Sequence, residues 1–214
     1  MIKNIKLALI DLDGTIVNKD ILDLLCQSMG KEKESKELND AFHRGEIPGL
    51  SALITRINFL KGMTKQQIEE ALRLESCLLP GAIELFDYFK QNKIITVLAS
   101  GNILPVLEYY QTILGIDHVV GSQPQMDGDT IIDIDESDYP ANKPFKIAGI
   151  EKILSRYNFS KKEIMAMGDS SSDRGMFDMS SLRIAVNPKG DIAKYADFVV
   201  SGSLTEVIDI LDSR

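Results

Sequence analysis

Five short apolar runs separated by amphipathic segments restrict this chain to few architectures. Residues 5–10, 94–99, 164–167, 183–186 and 197–200 are too short for typical helices and read as buried strands. Strands alternating with helical patterns mark a parallel sheet with helices on both faces. Phe145, Ile147, Ile150, Ile153, Leu154 and Tyr157 follow a helical period, with Pro144 suited to the first helical position. Ser160 and Glu163 have capping-box spacing, but the next strand begins too soon for more than a short turn. The Asp127-Gly128 step predicts a β-hairpin within residues 123–138. Residues 16–80 break the alternation with four helical stretches and no strand. There, Leu50, Leu53, Ile54, Ile57 and Leu60 form one apolar stripe ended by Gly62, and Thr64 to Gln67 caps the next helix.

The ends of these runs carry the chemistry. The first run leads into Asp11-Leu12-Asp13-Gly14-Thr15. Residues i and i+2 of a strand point the same way, so Asp11 and Asp13 leave its carboxyl end together. Ligands of open α/β sheets bind at that edge. Two adjacent carboxylates repel, and a shared hard cation makes the pair favourable; an ordinary Asp-Gly turn is the alternative. The second run stops at Ser100-Gly101-Asn102 and the third at Gly168-Asp169, followed by Ser170-Ser171-Ser172-Asp173. Ser100 or Asn102 could also serve as a plain cap for a helix starting near Ile103. Between them lies Asn142-Lys143-Pro144-Phe145-Lys146.

This ordered set resembles the haloacid dehalogenase-like hydrolase superfamily, whose motifs are an Asp-x-Asp-x-Thr start, a Ser or Thr after the second strand, a Lys, and a Gly-Asp-x-x-x-Asp-like end. The resemblance implies a Rossmann-like three-layer α/β/α core, residues 1–15 and 81–214, with a small all-helical cap, residues 16–80, inserted after the first strand. Such a cap hangs over Asp11 and Asp13, and its placement is similar to that in the phosphoserine phosphatase-like subgroup. By resemblance, Asp11 is the nucleophile that forms an aspartyl-phosphate. Asp13 protonates the leaving oxygen and later activates water, which calls for a raised pKa. Ser100 contacts a phosphoryl oxygen, with Gly101 and Asn102 beside it. Lys143 is assigned as the compact catalytic cation, with Lys146 its rival beside the substrate. Mg²⁺ would take the side chains of Asp11 and Asp169 and the backbone carbonyl of Asp13, while Asp173 orders metal-bound water. In the cap, Asp20 and Arg56 fall where the subgroup holds a substrate amine and carboxylate, and Phe42 supplies an apolar wall. Three positions depart from the subgroup: Gly14 stands for Ser, Asn102 for a second Gly, and Ser172 for Asn.

The expected reaction is Mg²⁺-dependent hydrolysis of a small phosphorylated metabolite resembling phosphoserine. Phosphotransfer to an acceptor hydroxyl through the same intermediate, or action on a phosphate ester that is not an amino acid, are the alternatives. Net charge is -8, with no basic cluster dense enough for nucleic acid. An acidic surface repels phosphate, so cations local to the site must dominate. The two cysteines, Cys26 and Cys77, sit among leucines and read as buried thiols of a reducing compartment. With no secretory pattern and no run of roughly 20 apolar residues, the expectation is a cytoplasmic protein without a membrane partner.

Overall fold

The first strand, β1 (Leu7–Ile10), is the apolar run LALI with every residue buried. Both of its faces must therefore be covered, which a parallel sheet between helical layers achieves. The computed structural model describes residues 4–213, so residues 1–3 and 214 of the expected core lie outside the described residues. After β1 the described chain runs through α1 (Ile21–Ser28), α2 (Glu32–His43), α3 (Gly49–Asn58), α4 (Lys65–Glu75) and α5 (Ala82–Gln91). It continues through β2 (Ile95–Ile103), α6 (Leu104–Leu114), β3 (His118–Ser122), the hairpin β4 (Gln125–Asp127) and β5 (Thr130–Asp133), and α7 (Phe145–Leu154). It closes with β6 (Ile164–Gly168), α8 (Arg174–Asp178), β7 (Leu182–Val186), β8 (Phe198–Val200) and α9 (Thr205–Asp212).

The main sheet has six strands in the order β3-β2-β1-β6-β7-β8, all parallel. Alternate residues of β1 serve opposite layers. Ala8 and Ile10 pack with Leu85 and Phe89 of α5, Tyr110 of α6 and Val207 of α9. Leu7 and Leu9 pack with Ile150 and Ile153 of α7 and Phe177 of α8. The result is the expected three-layer α/β/α core. From β1 the chain goes first to β2 on one side and later to β6 on the other. The strand order thus reverses at β1, and the crevice of a doubly wound fold opens there.

Three details depart from the expectation. Strand β3 has no counterpart among the five runs. It is a sheet edge with His118 and Val119 only half-buried, so its sequence needs no long apolar run. Pro144 is the residue before α7 rather than its first residue. Strand β2 runs on to Ile103, and α6 takes no side-chain cap, so neither Ser100 nor Asn102 caps it. Instead, the β2–β3 register shifts between Ala99 and Ile103, where four residues of β2 advance against two of β3. This bulge turns Ser100 and Asn102 together toward the end of β1.

Helices α1–α4 form the insert after β1. It joins the core through a paired stem. The Asn18 N–H donates to the Cys77 carbonyl at 2.9 Å, and the Leu79 N–H to the Ile16 carbonyl at 2.9 Å. A second tether links the turn after α3 to the β4–β5 hairpin. There the Gly62 N–H donates to the Ile131 carbonyl at 2.8 Å, and the Ile131 N–H to the Met63 carbonyl at 2.9 Å. Apolar residues of the insert, including Leu25, Ile57 and Leu72, share one core with the sheet. Cys26 and Cys77 are both buried and free.

Candidate active site

Asp11 follows the last residue of β1, and Asp169 the last residue of β6. The two strands pair in register with Ile10 opposite Met167, so both carboxylates emerge side by side at the carboxyl edge. Asp173 comes from the short turn before α8. Its Oδ2 accepts from the Asp169 N–H at 3.0 Å and the Ser170 N–H at 3.2 Å, and the residue is completely buried. Lys146, in the first turn of α7, reaches into this acidic group. Its Nζ donates to Asp11 Oδ1 at 2.8 Å and to Asp173 Oδ1 at 2.8 Å. Lys143 lies three residues earlier, outside the helix, and pairs with Glu151 near the surface. The place assigned from sequence to Lys143 is therefore held by Lys146. Lys146 shares one buried helix face with Ile150 and Ile153, four and seven residues on, and so faces the sheet, whereas Lys143 precedes the helix.

Burial raises the Asp11 carboxyl well above the usual carboxylate range, and the nearby Asp173 adds to this while Lys146 opposes it. Burial also disfavours the Lys146 ammonium, but the carboxylates of Asp11 and Asp173 outweigh that and keep it charged. Asp13 is pushed up to about 7, mainly by burial and then by Asp20, against donated hydrogen bonds from the Ile21 N–H and Asn102. A carboxyl that titrates near neutrality is suited to give and take a proton. Ser100 Oγ and Asn102 Nδ2 each lie 3.3 Å from Asp13 Oδ2. Gly101 lines the same cavity, and its carbonyl accepts from the Ser122 hydroxyl at 2.7 Å.

The described chain thus brings together a strand-end Asp-x-Asp, a bulge Ser, a buried Lys and a Gly-Asp-x-x-x-Asp turn. A family-wide comparison matches residues 8–178 to the haloacid dehalogenase-like hydrolases. The chain belongs to this family. It is 27% identical to the phosphoserine phosphatase of Campylobacter jejuni subsp. doylei over 97% of this chain and 100% of that one. It is 28% identical to the phosphoserine phosphatase of Archaeoglobus fulgidus over 92% of this chain, and there spans only 56% of the relative's length. A substrate-bound phosphoserine phosphatase structure superposes with a TM-score of 0.83, at 23% identity, over 96% of this chain and 98% of that one.

Members of this family are generally metal-dependent, and the residues here fit a hard divalent cation. Asp11, Asp169 and Asp173 each offer a carboxylate oxygen, and these atoms lie within 4.8 Å of one another, all buried. Asp169 Oδ2 is buried without a well-directed hydrogen bond, although Lys189 Nζ approaches to 2.7 Å. Both oxygens of Asp173 already accept from protein donors, which suits it to support the site rather than to bind directly. Gly14 completes the floor with a positive φ of 84°, and a Cβ there would sit 2.2 Å from Asp169 Oδ2. Any side chain at this position would have to displace Asp169. Ser172 bonds the Ser170 hydroxyl at 2.9 Å and is exposed.

The insert closes one side of a cavity of about 730 Å³ that has Asp11, Asp13 and Asp169 at its floor. Phe42 lines it, with Gly49 beneath the ring, where a Cβ would come within 2.7 Å. Arg56 and Asp20 also line it, but they engage each other. Arg56 Nη2 donates to Asp20 Oδ1 at 2.5 Å and to Asp23 Oδ1 at 3.0 Å, and its Nε donates to Ser35 Oγ at 2.9 Å. Asp20 also caps α1 and accepts from Asn39 Nδ2 at 3.1 Å. Asp23, Ser35, Asn39 and Lys189 were not anticipated. Asp23 had a readable sign, lying three residues after the helix-capping Asp20, whereas the other three are brought in only by tertiary packing. His43 tilts against Phe42, and His118 bonds the Tyr157 hydroxyl at 2.6 Å.

Proposed function

We propose that this chain is a Mg²⁺-dependent phosphomonoesterase acting on a small phosphate ester, phosphoserine first among them. The observation that carries the reading is the buried Asp11 carboxylate, tied to Lys146 at 2.8 Å and set among Asp169 and Asp173. A strand-end carboxylate as nucleophile and a neighbouring carboxyl as acid are what an acyl-phosphate route needs. An oxygen of Asp11 attacks phosphorus and forms the acyl phosphate, while the ester P–O bond breaks and the leaving oxygen takes a proton from Asp13. Water, giving its proton back to Asp13, then attacks phosphorus and breaks the aspartyl bond to release inorganic phosphate. Lys146 keeps Asp11 in place and offsets charge on the phosphoryl oxygens, and the Ser100 hydroxyl adds a donor. Bound Mg²⁺, held by Asp11, Asp169 and the Asp13 carbonyl, would neutralise phosphoryl charge.

Residues 16–80 are assigned as a cap that excludes water during transfer, since Asp20, Phe42 and Arg56 face the same cavity as Asp11. Arg56 and Asp20 are the groups that would exchange their mutual pairing for the carboxylate and amine of an amino-acid ester. The two buried free thiols agree with a cytoplasmic setting. Among the described residues, no helix is long and apolar enough to cross a membrane.

The test is phosphate release from a set of small phosphorylated metabolites. Chelation of divalent ions and Asp11→Asn should each abolish turnover. Activity that survives Asp11→Asn would rule out Asp11 as the nucleophile.

A further inference from the structure

Helix α2 buries one of its 12 residues, and that residue is a serine. Ser35 is completely buried. A hydroxyl so far from water needs hydrogen-bond partners, and it has two. Ser35 Oγ donates to Asp23 Oδ1 at 2.5 Å and accepts from Arg56 Nε at 2.9 Å. A guanidinium only donates, so the hydroxyl proton is committed to Asp23 and a lone pair to Arg56. Asp23 Oδ1 also accepts from Arg56 Nη2 at 3.0 Å, which closes a ring of three side chains from α1, α2 and α3. Arg56 and Asp20 line the cavity, whereas Asp23 and Ser35 do not, so the ring grips the guanidinium from behind. Of the two carboxylates on Arg56, Asp20 is the more exposed, at 30% against 14% for Asp23. Arg56 Nη1 makes no hydrogen bond among the described residues. A carboxylate that displaces Asp20 therefore has Nη1 and Nη2 as a fork, while Nε stays on Ser35.

We propose that Ser35 is a positioning residue, whose hydroxyl keeps the Arg56 guanidinium aimed into the cavity when a substrate carboxylate takes the place of Asp20. This rests on the amino-acid ester reading above. A long arginine side chain loses rotamer freedom when it binds, and one held in advance loses less. The hydroxyl thus adds to affinity for the carboxylate without touching the substrate.

The experiment compares phosphoserine with ethanolamine phosphate, which keeps the amine, the carbon chain and the phosphate but has no carboxylate. The ratio of their kcat/KM values reads the carboxylate alone. Ser35→Ala should lower that ratio roughly ten-fold, the scale of one hydrogen bond to a charged group. The loss should fall on KM for phosphoserine with kcat nearly kept, because the grip is the same in the ground and transition states. Ethanolamine phosphate should be hydrolysed almost as before. A merely structural role for Ser35 would lower the melting temperature and leave the ratio alone. Ser35→Val also removes the hydroxyl, so either variant that keeps a cooperative melt decides the matter. In Arg56→Lys, which has no Nε to hold, adding Ser35→Ala should change the ratio no further. An unchanged ratio in a folded Ser35 variant overturns the proposal, as does a further drop in the double variant. If Arg56→Lys and Arg56→Ala collapse the ratio while the Ser35 variants do not, only the role of Ser35 fails. If the Arg56 variants also leave the ratio unchanged, the carboxylate clamp itself fails, and this inference with it.

Discussion

Lys146 and Lys143 differ by three residues, and the difference decides which one reaches Asp11. The buried ammonium of Lys146 bridges Asp11 and Asp173, while Lys143 forms a half-exposed pair with Glu151. Removing a preorganised donor of developing charge typically costs ~10²–10³-fold in kcat. Lys146→Ala should lose turnover on that scale, whereas Lys143→Ala should stay within about two-fold, since exposed pairs contribute little. Steady-state kinetics on both variants checks this, and the reverse order would return the role to Lys143. The residue types at the site were legible, because Asp11, Asp13, Ser100 and Asp169 all follow strand-like runs. The choice of lysine was missed although a sign was present: Lys146 stands four and seven residues before Ile150 and Ile153, on the face that α7 buries. Nor was Gly14 readable as more than a turn residue; its contact with Asp169 exists only once β1 and β6 are adjacent.

Among the elements, the insert carries the largest concentration of buried charge outside the catalytic floor. Arg56 of α3 joins Asp20 and Asp23 of the α1 region to Ser35 of α2, so one guanidinium ties three segments. Burial works against that guanidinium, but Asp20 and Asp23 hold its pKa above the ordinary value. Breaking a buried pair strands the partner charge, at a cost of about 3–5 kcal/mol. Arg56→Ala should therefore lower the melting temperature, and Asp23→Asn in the same chain should recover part of the loss. No recovery would show that the stranded charge is not the cause. The same variant should slow phosphoserine more than a carboxylate-free phosphate ester, and equal losses on both would exclude a carboxylate clamp. Sequence periodicity was enough to place four helices here. It did not show that the turn after α3 would pair with the β4–β5 hairpin, because that contact joins residues far apart in the chain.

For the molecule as a whole, the site is a stored electrostatic cost. Asp11, Asp13 and Asp169 all have carboxyls raised by burial, and Asp13 reaches about 7. The folded chain then binds these protons more tightly than the unfolded chain. Stability from this source is greatest below the unfolded carboxylate range and falls as pH rises through the folded values. In chelator, the melting temperature should decline between about pH 4 and pH 7, from the unfolded carboxylate value to that of the raised Asp13. Asp13→Asn should flatten that decline, and Mg²⁺ should raise the melting temperature most at the alkaline end. A wild-type profile no steeper than that of the variant would contradict this reading. The sheet order follows from the same economy of burial: runs without charge fill the centre, and only the edge strand β3, half-wet, escaped the sequence pattern. The central claim is that phosphate passes through Asp11. Acid quenching during turnover, followed by peptide mass analysis, should find a labile phosphoryl group on the peptide containing Asp11 and none in Asp11→Asn. A phosphoryl group on another residue, or steady turnover with no phosphorylated peptide and full activity in the variant, would contradict it.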